Sequence, residues 1–349
     1  MSKFADLLVI RHPWEGSARL MAAYSDVPVV NAGDGGHEHP TQTLLDLYTL
    51  RKEKGRLSGL NVALCVDLKN GRTIHSLAYA VARFGSNILC LPGEGLGLPD
   101  YVTDKLRDRF TCAPEVAHLS RISKPGQIQS TLAGATGAPH GEDRGPKGPG
   151  GENGPSYPVV DRAFLKGQAF RKTVVMHPLP RVDELSYEVD EDPRSRYFEQ
   201  AARGMPVRMA LLALLLGAYP EQRTSDRPPA AGGDEIPIYR SPAGVRCPNE
   251  NCVSRREARY VTPEFRWVEI SPPRLQCVFC DRDLRPAYAG NPRSKRYCPA
   301  DRLTRAKAGK GWIFFSSRVE AEENGFRPAA RSATRTAGSK AARAGESEA

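Results

Sequence analysis

The chain has 349 residues, of which 40% are hydrophobic, and a formal net charge of +10 at neutral pH. It shows no apolar run of the ~18 residues that a transmembrane helix needs, and its start lacks the charged and then apolar pattern of a signal peptide. These features predict a cytoplasmic protein, in which cysteines bind metal rather than form disulfides. Much of the excess of Lys and Arg lies after residue 281, so we expect a solvated basic tail rather than a nucleic-acid site.

Strands and helices are predicted to alternate along the first part of the chain. Strands are predicted at residues 4–11, 27–31, 60–66 and 87–91, and helices at residues 17–24, 73–84 and 99–107 and from Pro40. Such alternation is typical of a doubly wound α/β fold, with a mostly parallel sheet covered by helices on both faces. Ligands of these folds bind where the strands end. Arg11, Asn31 and the segments 67–72 and 177–180 all follow predicted strands, which predicts a site at that edge.

The segment 31–50 carries the densest group of candidate site residues. Gly33, Gly35 and Gly36 predict a tight turn over residues 33–36, because glycine adopts backbone angles that other residues resist. An apolar helical pattern follows, and Pro40 suits its first position. His39 and Gln42 then lie at a helix N-terminus, where free N–H groups favour a polar, electron-rich ligand. Without other motifs, a histidine at this position is more often a helix cap or a packed side chain.

Residues 120–156 interrupt the alternating pattern. Their Gly- and Pro-rich sequence cannot bury enough apolar surface, so we predict a disordered insert. Order is expected to return at Val159, with a strand at residues 172–177 and a helix from Ser195. That helix is expected to be interrupted near residues 204–206 and to resume at residues 207–216. Apolar residues point in all directions there, which predicts burial on every side.

Two pairs of cysteines predict a metal site in the last third of the chain. Cys247 and Cys252 form one pair and Cys277 and Cys280 the other, with 24 residues between the pairs. Two such pairs supply the four thiolates of a tetrahedral zinc site. Four thiolates leave no position for a catalytic water, so we expect structural Zn²⁺ whose binding stabilises the fold.

Four blocks of sequence resemble, in the same order, the catalytic chain of aspartate carbamoyltransferase. They are VIRHP and EG within residues 9–16, NAGDGGHEHPTQ at residues 31–42, DLK and GRTIHSL within residues 67–77, and MHPLPRVDE at residues 176–184. The resemblance extends over residues 4–118 and 157–217. The HPLPR turn, in place of a turn with a cysteine, favours this family over ornithine carbamoyltransferase.

The resemblance implies a reaction of pyrimidine biosynthesis. The α-amine of L-aspartate attacks the carbonyl of carbamoyl phosphate, giving N-carbamoyl-L-aspartate and phosphate. By resemblance, Arg11 is expected to reach the carbamoyl phosphate and His39 to donate a hydrogen bond to its carbonyl oxygen. Gln42 is expected to hold the carbamoyl amide. The chemistry needs positioning and stabilisation of negative charge rather than a covalent nucleophile.

The same resemblance assigns the binding of aspartate. Arg72 is expected to hold an aspartate carboxylate with two parallel hydrogen bonds, which lysine could not reproduce. The backbone carbonyls of Leu179 and Pro180 are expected to face the amine. Outside this motif context, Arg11 and Arg72 would be read as surface ion pairs and His39 as a helix cap.

Some motifs of the family's active site are not recognised in this sequence. It lacks the Ser-Thr-Arg-Thr-Arg loop that binds phosphate, so residues 1–40 are expected to be a remnant of a largely missing carbamoyl-phosphate domain and residues 41–217 the aspartate-binding domain. We therefore expect activity only when another polypeptide supplies the phosphate-binding half. The expected partner is a second copy in a homo-oligomer or a separate chain that carries the phosphate-binding domain. Of the loop that grips aspartate in relatives, only Arg121, Gln127 and Gln129 lie near the expected place.

The C-terminal part is expected to carry a small β-rich zinc domain with four cysteine ligands at residues 241–287, after a linker at residues 218–240. This domain resembles that of the aspartate carbamoyltransferase regulatory chain, but no nucleotide-binding domain precedes it, so no ATP or CTP site is expected. Residues 288–331 resemble a degenerate metal-binding hairpin-and-helix module, and residues 332–349 are predicted to be disordered. The alternative to a carbamoyltransferase is a non-catalytic zinc-stabilised scaffold or regulatory homologue.

Overall fold

The computed structural model describes residues 2–117, 127–128, 130–134, 159–218, 238–303 and 311–329. They form two compact units, of which the first comprises Met1–Pro242, Arg246–Trp267 and Leu275–Leu284, and the second Ala243–Val245, Val268–Arg274 and Arg285–Ala349. Of the predicted insert at residues 120–156, residues 120–126, 129 and 135–156 lie outside the described residues, as do most of the linker and the tail at residues 332–349. The same is true of Arg121 and Gln129.

The first unit begins with two parallel strands that are connected by a helix. Strands β1 (Leu8–His12) and β2 (Val29–Asp34) pair with each other, and helix α1 (Ser17–Ala23) joins them. Arg11 therefore lies near the carboxyl end of this small sheet, beside the turn into which β2 leads. This arrangement confirms the strand-helix-strand pattern predicted from the sequence.

A five-stranded parallel sheet forms the larger core of the first unit. Its strands are β3 (Asn61–Val66), β4 (Asn87–Pro92), β5 (Glu115–Val116), β6 (Ser130–Gly134) and β7 (Val174–Met176). They lie in the order β5-β4-β3-β6-β7, and each neighbouring pair is parallel. The helices are α2 (Pro40–Lys54), α3 (Arg72–Arg83) and α4 (Asp100–Phe110). The predicted α/β class with a mostly parallel sheet is confirmed.

Strand β3 shows why this sheet is covered on both faces. Val62 and Leu64 belong to one apolar core, whereas the alternating residues Ala63 and Cys65 belong to another. All four side chains are fully buried. A strand whose residues are apolar on both faces is typical of the centre of a parallel sheet, so its continuous apolar sequence fixes its central place.

Strand β6 corrects the prediction of a disordered insert over residues 120–156. Residues 130–134 pair with β3 on one side and β7 on the other. Ser130 and Thr131 are buried, the Ser130 hydroxyl donates to the carbonyl of Val174, and the Thr131 hydroxyl lies 3.2 Å from that of Thr173. The strand was not predicted because its polar residues suggested exposure to water. In the structure, these residues form their hydrogen bonds with neighbouring residues of the sheet region instead.

Helices α5 (Tyr197–Ala202) and α6 (Gly204–Leu215) follow the sheet. Salt bridges connect this region to α2, because Arg196 and Arg203 both pair with Glu53. The predicted burial of α6 on every side is wrong for the described residues. Most of its large apolar side chains are exposed, among them Met205, Met209, Leu212, Leu214 and Leu215. Local periodicity shows that a helix is apolar, but it does not show which surface covers it.

The predicted β-rich zinc domain is confirmed as a small β structure. Strands β8 (Ile238–Arg240), β9 (Glu264–Ile270), β10 (Pro273–Cys277) and β11 (Asp283–Leu284) lie in the order β11-β10-β9-β8. The short helix α7 (Val253–Arg256) follows the first cysteine pair.

The second unit has its own four-stranded sheet and a short helix. The elements are β12 (Tyr288–Asn291), β13 (Arg296–Pro299), β14 (Ile313–Phe315), α8 (Arg318–Glu323) and β15 (Arg327–Pro328). The strand order is β14-β12-β13-β15. Tyr297, Phe315, Ala321 and Phe326 form its core. None of the helices in the described ranges has the length and apolar character needed to cross a bilayer.

Candidate active site and cysteine cluster

Arg72 and His39 meet at Gly33, near the end of β2 and beside the turn that follows it. A Cβ atom added to Gly33 would lie 3.2 Å from Arg72 Nη1 and 3.5 Å from His39 Cδ2. Gly33 also has a φ of +117°, a conformation that residues with side chains rarely adopt. The Nη1 group of Arg72 donates to the carbonyl of Gly35 at 3.1 Å. The turn therefore positions Arg72.

Asp34 holds this turn together. It accepts hydrogen bonds from the backbone N–H of Gly16 at 2.7 Å and from Asn31 Nδ2 at 2.8 Å. His37 Nδ1 lies 3.0 Å from Asp34 Oδ2. Burial raises the pKa of Asp34, but the hydrogen bonds from His37 and Asn31 outweigh burial and lower that pKa. A buried and ionised aspartate thus lies directly behind the glycine turn.

His39 lies within a field of positive charge. Its pKa falls to about 4, first because of burial and then because of the guanidinium groups of Arg72, Arg11 and Arg208. The imidazole is therefore neutral at pH 7. Thr41 Oγ1 lies 3.3 Å from His39 Nδ1, and when this hydroxyl donates to Nδ1 the ring proton is on Nε2, available for another acceptor.

Three of the predicted site residues, Arg11, His39 and Arg72, are thus brought together. Sequence reasoning missed Arg208, which lies on α6 and contributes to the same positive field. The available signal was a single cation within an otherwise apolar helical sequence. A lone charged residue in an apolar helix is a candidate site residue, and Arg208 acts electrostatically on His39.

Gln42 lies in the first turn of α2 and is connected to the HPLPR turn by buried polar groups. Gln42 Nε2 donates to Asp46 Oδ1 at 2.9 Å, and Gln200 Nε2 donates to the same oxygen at 2.6 Å. Gln200 Oε1 in turn accepts from the backbone N–H of His177 at 2.9 Å. Asp46 and Gln200 were not identified from the sequence, because their contact joins residues far apart along the chain.

The turn that contains Leu179 and Pro180 is held by His177. Its Nδ1 accepts from the backbone N–H of Leu179 at 2.9 Å, and its Nε2 lies 2.9 Å from Glu184 Oε1. The Leu179–Pro180 peptide bond is cis, and Leu179 has a φ of +44°. Leu179 and Pro180 are therefore linked to Gln42 through this buried network.

The four predicted metal ligands form one cluster. The sulfur atoms of Cys247, Cys252, Cys277 and Cys280 all lie within 4.8 Å of one another and are buried. The Sγ atoms of Cys247 and Cys280 are 3.4 Å apart, and those of Cys252 and Cys277 are 3.8 Å apart. A tetrahedron with Zn–S bonds of ~2.3 Å has sulfur atoms ~3.8 Å apart. The cluster therefore fits a tetrahedral metal ion with four thiolate ligands.

Three family models match separate parts of this chain. The carbamoyl-P binding domain of aspartate/ornithine carbamoyltransferase matches residues 1–52, and the Asp/Orn binding domain of the same family matches residues 156–215. The metal binding domain of the aspartate carbamoyltransferase regulatory chain matches residues 242–287. The resemblance of the N-terminal part to a carbamoyl-phosphate domain and the predicted fusion to a regulatory-type metal domain are thus supported.

Comparison with whole proteins gives the same result. The aspartate carbamoyltransferase catalytic subunit of Methanopyrus kandleri is 45% identical over 231 residues, which cover 61% of this chain and 67% of that protein. The subunit of Clostridium perfringens is 45% identical over 219 residues, which cover 61% of this chain and 68% of the relative. This chain belongs to the aspartate carbamoyltransferase family.

Solved aspartate carbamoyltransferases also share its fold. The Methanocaldococcus jannaschii catalytic subunit matches with a TM-score of 0.50 and 38% identity, covering 62% of this chain and 68% of that one. The Trypanosoma cruzi enzyme in complex with aspartate and phosphate matches with a TM-score of 0.51 and 32% identity, covering 60% and 65%. By family, the chain is a carbamoyltransferase.

In this aspartate carbamoyltransferase homologue, the cysteine segment packs on the N-terminal elements of the same chain. The backbone N–H of Glu15 donates to the carbonyl of Asn251 at 3.0 Å, and Val253 N–H donates to the carbonyl of Glu15 at 2.9 Å. Asn249 Nδ2 donates to the buried Glu15 carboxylate at 2.7 Å. A Cβ added to Gly16 would lie only 2.5 Å from Cβ of Phe279, so this close approach requires glycine.

Asp281, next to Cys280, forms the charged part of this contact. Its Oδ2 lies 2.6 Å from Lys105 Nζ and 3.6 Å from His37 Nε2, and its Oδ1 lies 3.5 Å from Arg19 Nη1. Burial raises the pKa of Asp281, but His37, Lys105 and Arg19 outweigh it and hold that pKa well below its usual value. Although His37, Glu38 and Asp281 could together ligate a cation, the ammonium group of Lys105 already lies among them.

Proposed function

We propose that Arg11, His39, Gln42 and Arg72 bind carbamoyl phosphate and L-aspartate for transfer of the carbamoyl group to the amine of aspartate. The observation that carries this proposal is the convergence of Arg11 and Arg72 on His39 where β1 and β2 end. Guanidinium groups near one another repel, so their gathering favours a site for negatively charged ligands. Both substrates are anions, and the family membership agrees with this chemistry.

The protonation of His39 suits its proposed role. A neutral imidazole donates an N–H to the carbonyl oxygen of carbamoyl phosphate, and this hydrogen bond strengthens as negative charge develops on that oxygen during attack. The surrounding guanidinium groups keep the imidazole neutral and also stabilise the developing charge. Arg11 is proposed to contact the carbamoyl phosphate directly, beside His39.

Aspartate is proposed to bind next to the carbamoyl phosphate, between Arg72 and the turn that contains Leu179 and Pro180. The fork of the Arg72 guanidinium holds one carboxylate, and the carbonyl of Gly35 fixes its orientation. The backbone carbonyls of Leu179 and Pro180 are proposed to accept hydrogen bonds from the α-amine, which directs its lone pair towards the carbonyl carbon. No covalent intermediate is required.

We further propose that the chain forms a homo-oligomer or binds a separate chain, and that a separate chain supplies the phosphate-binding half of the site. The apolar side chains on α6 support this proposal, since Met205 and Met209 are 69% and 63% exposed in the described part of the chain. Burial of such a side chain contributes about 1.5–3 kcal/mol, so association through this face is favourable.

The cysteine cluster is proposed to hold one structural Zn²⁺. Four buried sulfur ligands complete a tetrahedral coordination sphere, so the ion supplies folding energy rather than a bound water for catalysis. A location in the cytoplasm is proposed on the same grounds, because reducing conditions there keep thiols available as ligands.

The proposed reaction is tested with the purified full chain, alone and mixed with the carbamoyl-phosphate-binding domain of the Methanopyrus kandleri catalytic subunit. We expect no transfer by the chain alone and measurable transfer by the mixture. Substantial turnover by the chain alone would contradict the requirement for a second polypeptide.

Arg72 provides the sharper test of the site. In an active mixture, Arg72→Lys is expected to raise the KM for aspartate at least about tenfold, because lysine cannot form two parallel hydrogen bonds to a carboxylate. Arg83→Lys, an exposed change on the same helix, is the matched control and should leave the KM unchanged. Equal effects of the two changes would remove the proposed role of Arg72.

The alternative function is a non-catalytic, zinc-stabilised scaffold, which the exposed apolar face of α6 also favours. A scaffold would form a stable assembly with no transfer under any mixture and no binding of aspartate or carbamoyl phosphate by calorimetry. Binding of either substrate that Arg72→Lys or His39→Ala weakens would exclude this alternative.

A further inference from the structure

Asp46 is a fully buried carboxyl group in α2, one helical turn beyond Gln42. No Lys or Arg in the described ranges pairs with it, and its Oδ2 atom has no hydrogen-bond partner there. Its Oδ1 atom accepts from two side-chain amides, those of Gln42 and Gln200. Burial of a carboxyl group without a cationic partner is costly, so Asp46 is a candidate for a role in the site beside it.

The two hydrogen bonds determine the orientation of both glutamines. Two amide nitrogens donate to Asp46 Oδ1, so this oxygen acts as an acceptor and a protonated Asp46 carries its proton on Oδ2. Each glutamine therefore directs its NH₂ group towards Oδ1. Gln200 meets this condition, because its Oε1 accepts from the N–H of His177 on its other side. For Gln42 the consequence is that Oε1 faces away from Asp46, as an acceptor that a ligand can use.

We propose that Asp46 is a positioning residue that makes the site selective for a carbamoyl group over an acetyl group, by fixing Gln42 Oε1 as a hydrogen-bond acceptor. This inference rests on the proposed function of Gln42. A carbamoyl group carries an NH₂ beside its carbonyl and donates to Gln42 Oε1. An acetyl group presents a methyl in the same place and leaves that acceptor without a partner.

The network of Gln42, Asp46 and Gln200 also explains why the amide of Gln42 keeps one orientation. Reversing the amide of Gln42 would place its oxygen against Asp46 Oδ1, and two acceptors facing each other repel. Gln42 is 7% exposed and Gln200 is fully buried, so water cannot compensate for a wrong orientation. The series of hydrogen bonds from Gln42 through Asp46 and Gln200 ends at His177, which also accepts a hydrogen bond from the backbone of Leu179. The carbamoyl side and the amine side of the site therefore share one support.

The test compares three ligands on the wild-type chain and two variants, by calorimetry in the assembly that supports transfer. Carbamoyl phosphate carries the NH₂ group, whereas acetyl phosphate and N-(phosphonacetyl)-L-aspartate do not. Asp46→Leu removes the acceptor, so it should weaken carbamoyl phosphate about tenfold, the size of one hydrogen bond, and change the other two less than twofold. Asp46→Asn keeps an acceptor oxygen and should restore the wild-type preference for carbamoyl over acetyl phosphate.

A uniform loss of all three ligands in Asp46→Leu, or no loss at all, would overturn the inference and leave Asp46 a structural residue. Asp46→Asn behaving like Asp46→Leu would also overturn it, because charge rather than an acceptor would then be required. If Asp46→Leu does not fold, as judged by circular dichroism, Asp46→Ala, which also has no acceptor, replaces it in the same comparison.

A second measurement separates this inference from the proposed function. If no ligand binds the wild-type chain, the proposed function fails, but the orientation of Gln42 can still be read by NMR of its ¹⁵N-labelled side-chain amide. Slow exchange of this NH₂ group with solvent in the wild type and in Asp46→Asn, and fast exchange in Asp46→Leu, supports the inference. Equal exchange in all three contradicts it.

Discussion

His39 lies among the guanidinium groups of Arg11, Arg72 and Arg208, and this arrangement controls its protonation. Because its pKa in the folded chain, about 4, is below the unfolded value of ~6.5, the unfolded chain binds a proton first as the pH falls. The contribution of His39 to the free energy of unfolding therefore decreases as the pH falls from ~6.5 to about 4. A bound anion beside His39 would offset the positive charges of these guanidinium groups and so reduce this loss of stability at low pH.

We predict that Arg72→Leu raises the pKa of His39, because one of the nearby positive charges is removed. Titration of the His39 ring by NMR should show a shift towards the ordinary value, with Arg83→Leu as the control that changes nothing. Saturation of the wild type with carbamoyl phosphate should also raise this pKa. A pKa that stays near about 4 in Arg72→Leu would show that burial alone sets it.

Asp46 gives the opposite pH dependence. Burial raises its pKa to about 7, opposed by the hydrogen bonds from Gln200 and Gln42. The folded chain therefore retains this proton between ~3.9, the ordinary aspartate value, and about 7, and the contribution of Asp46 to stability falls as the pH rises through that interval.

We predict that Asp46→Asn is more stable than the wild type at neutral pH and above. The asparagine keeps the acceptor oxygen but carries no charge, so the advantage should grow as the pH rises from ~3.9 towards about 7 and then stay constant. Urea unfolding at several pH values measures this difference, with an expected size of a few kcal/mol. A pH-independent difference would mean that Asp46 is ionised in both states.

At the scale of elements, the contact of the cysteine segment with α1 depends on one glycine. Gly16 has a φ of +85° and precedes α1, and Phe279 approaches it too closely for any side chain. Gly55 also has a positive φ, +72°, but no atom lies within 4 Å of an added Cβ. The two glycines share a backbone preference and differ only in packing, so they separate the two effects.

We predict that Gly16→Ala destabilises the chain by about 2–4 kcal/mol, from the left-handed conformation and the clash together. Gly55→Ala should cost only about 1 kcal/mol, from the backbone conformation alone. Urea unfolding compares the two, and limited proteolysis should cut residues 246–284 faster in Gly16→Ala alone. Equal stability of the two variants would show that Phe279 can move away without cost.

At the scale of the whole molecule, the aspartate-binding elements and the metal domain occur in one polypeptide. In the first unit, the contacts of Glu15, Gly16 and Asp281 tie the cysteine segment to the elements around the candidate site. Metal binding is therefore expected to stabilise more of the chain than the cysteine segment itself.

We predict that Cys277→Ser abolishes the binding of one Zn²⁺ per chain and lowers the thermal midpoint of unfolding. Cys298→Ser, in the second unit, is the matched control and should retain the ion and the midpoint. Metal content by atomic absorption and melting curves followed by circular dichroism provide the measurements. Retention of zinc by Cys277→Ser would show that the four sulfurs do not form the site.

Local sequence determined much of this protein. The parallel α/β sheet, the turn at residues 33–36, the start of α2 at Pro40 and the two cysteine pairs follow from short-range rules of periodicity, turn chemistry and ligand spacing. These features depend on neighbours within a few residues, so the sequence specifies them directly. The family resemblance carried by the four blocks supplied the chemistry.

Other features were decided only by the tertiary structure. Strand β6 is evident only from the hydrogen bonds of its polar residues to Thr173 and Val174, and the role of Asp46 only from its contacts with Gln42 and Gln200. Arg208 joined His39 because α6 returns to the site, and Asp281 met Lys105 across a long separation in sequence. Each of these depends on contacts between residues far apart in the chain, and such contacts arise from packing rather than from local pattern.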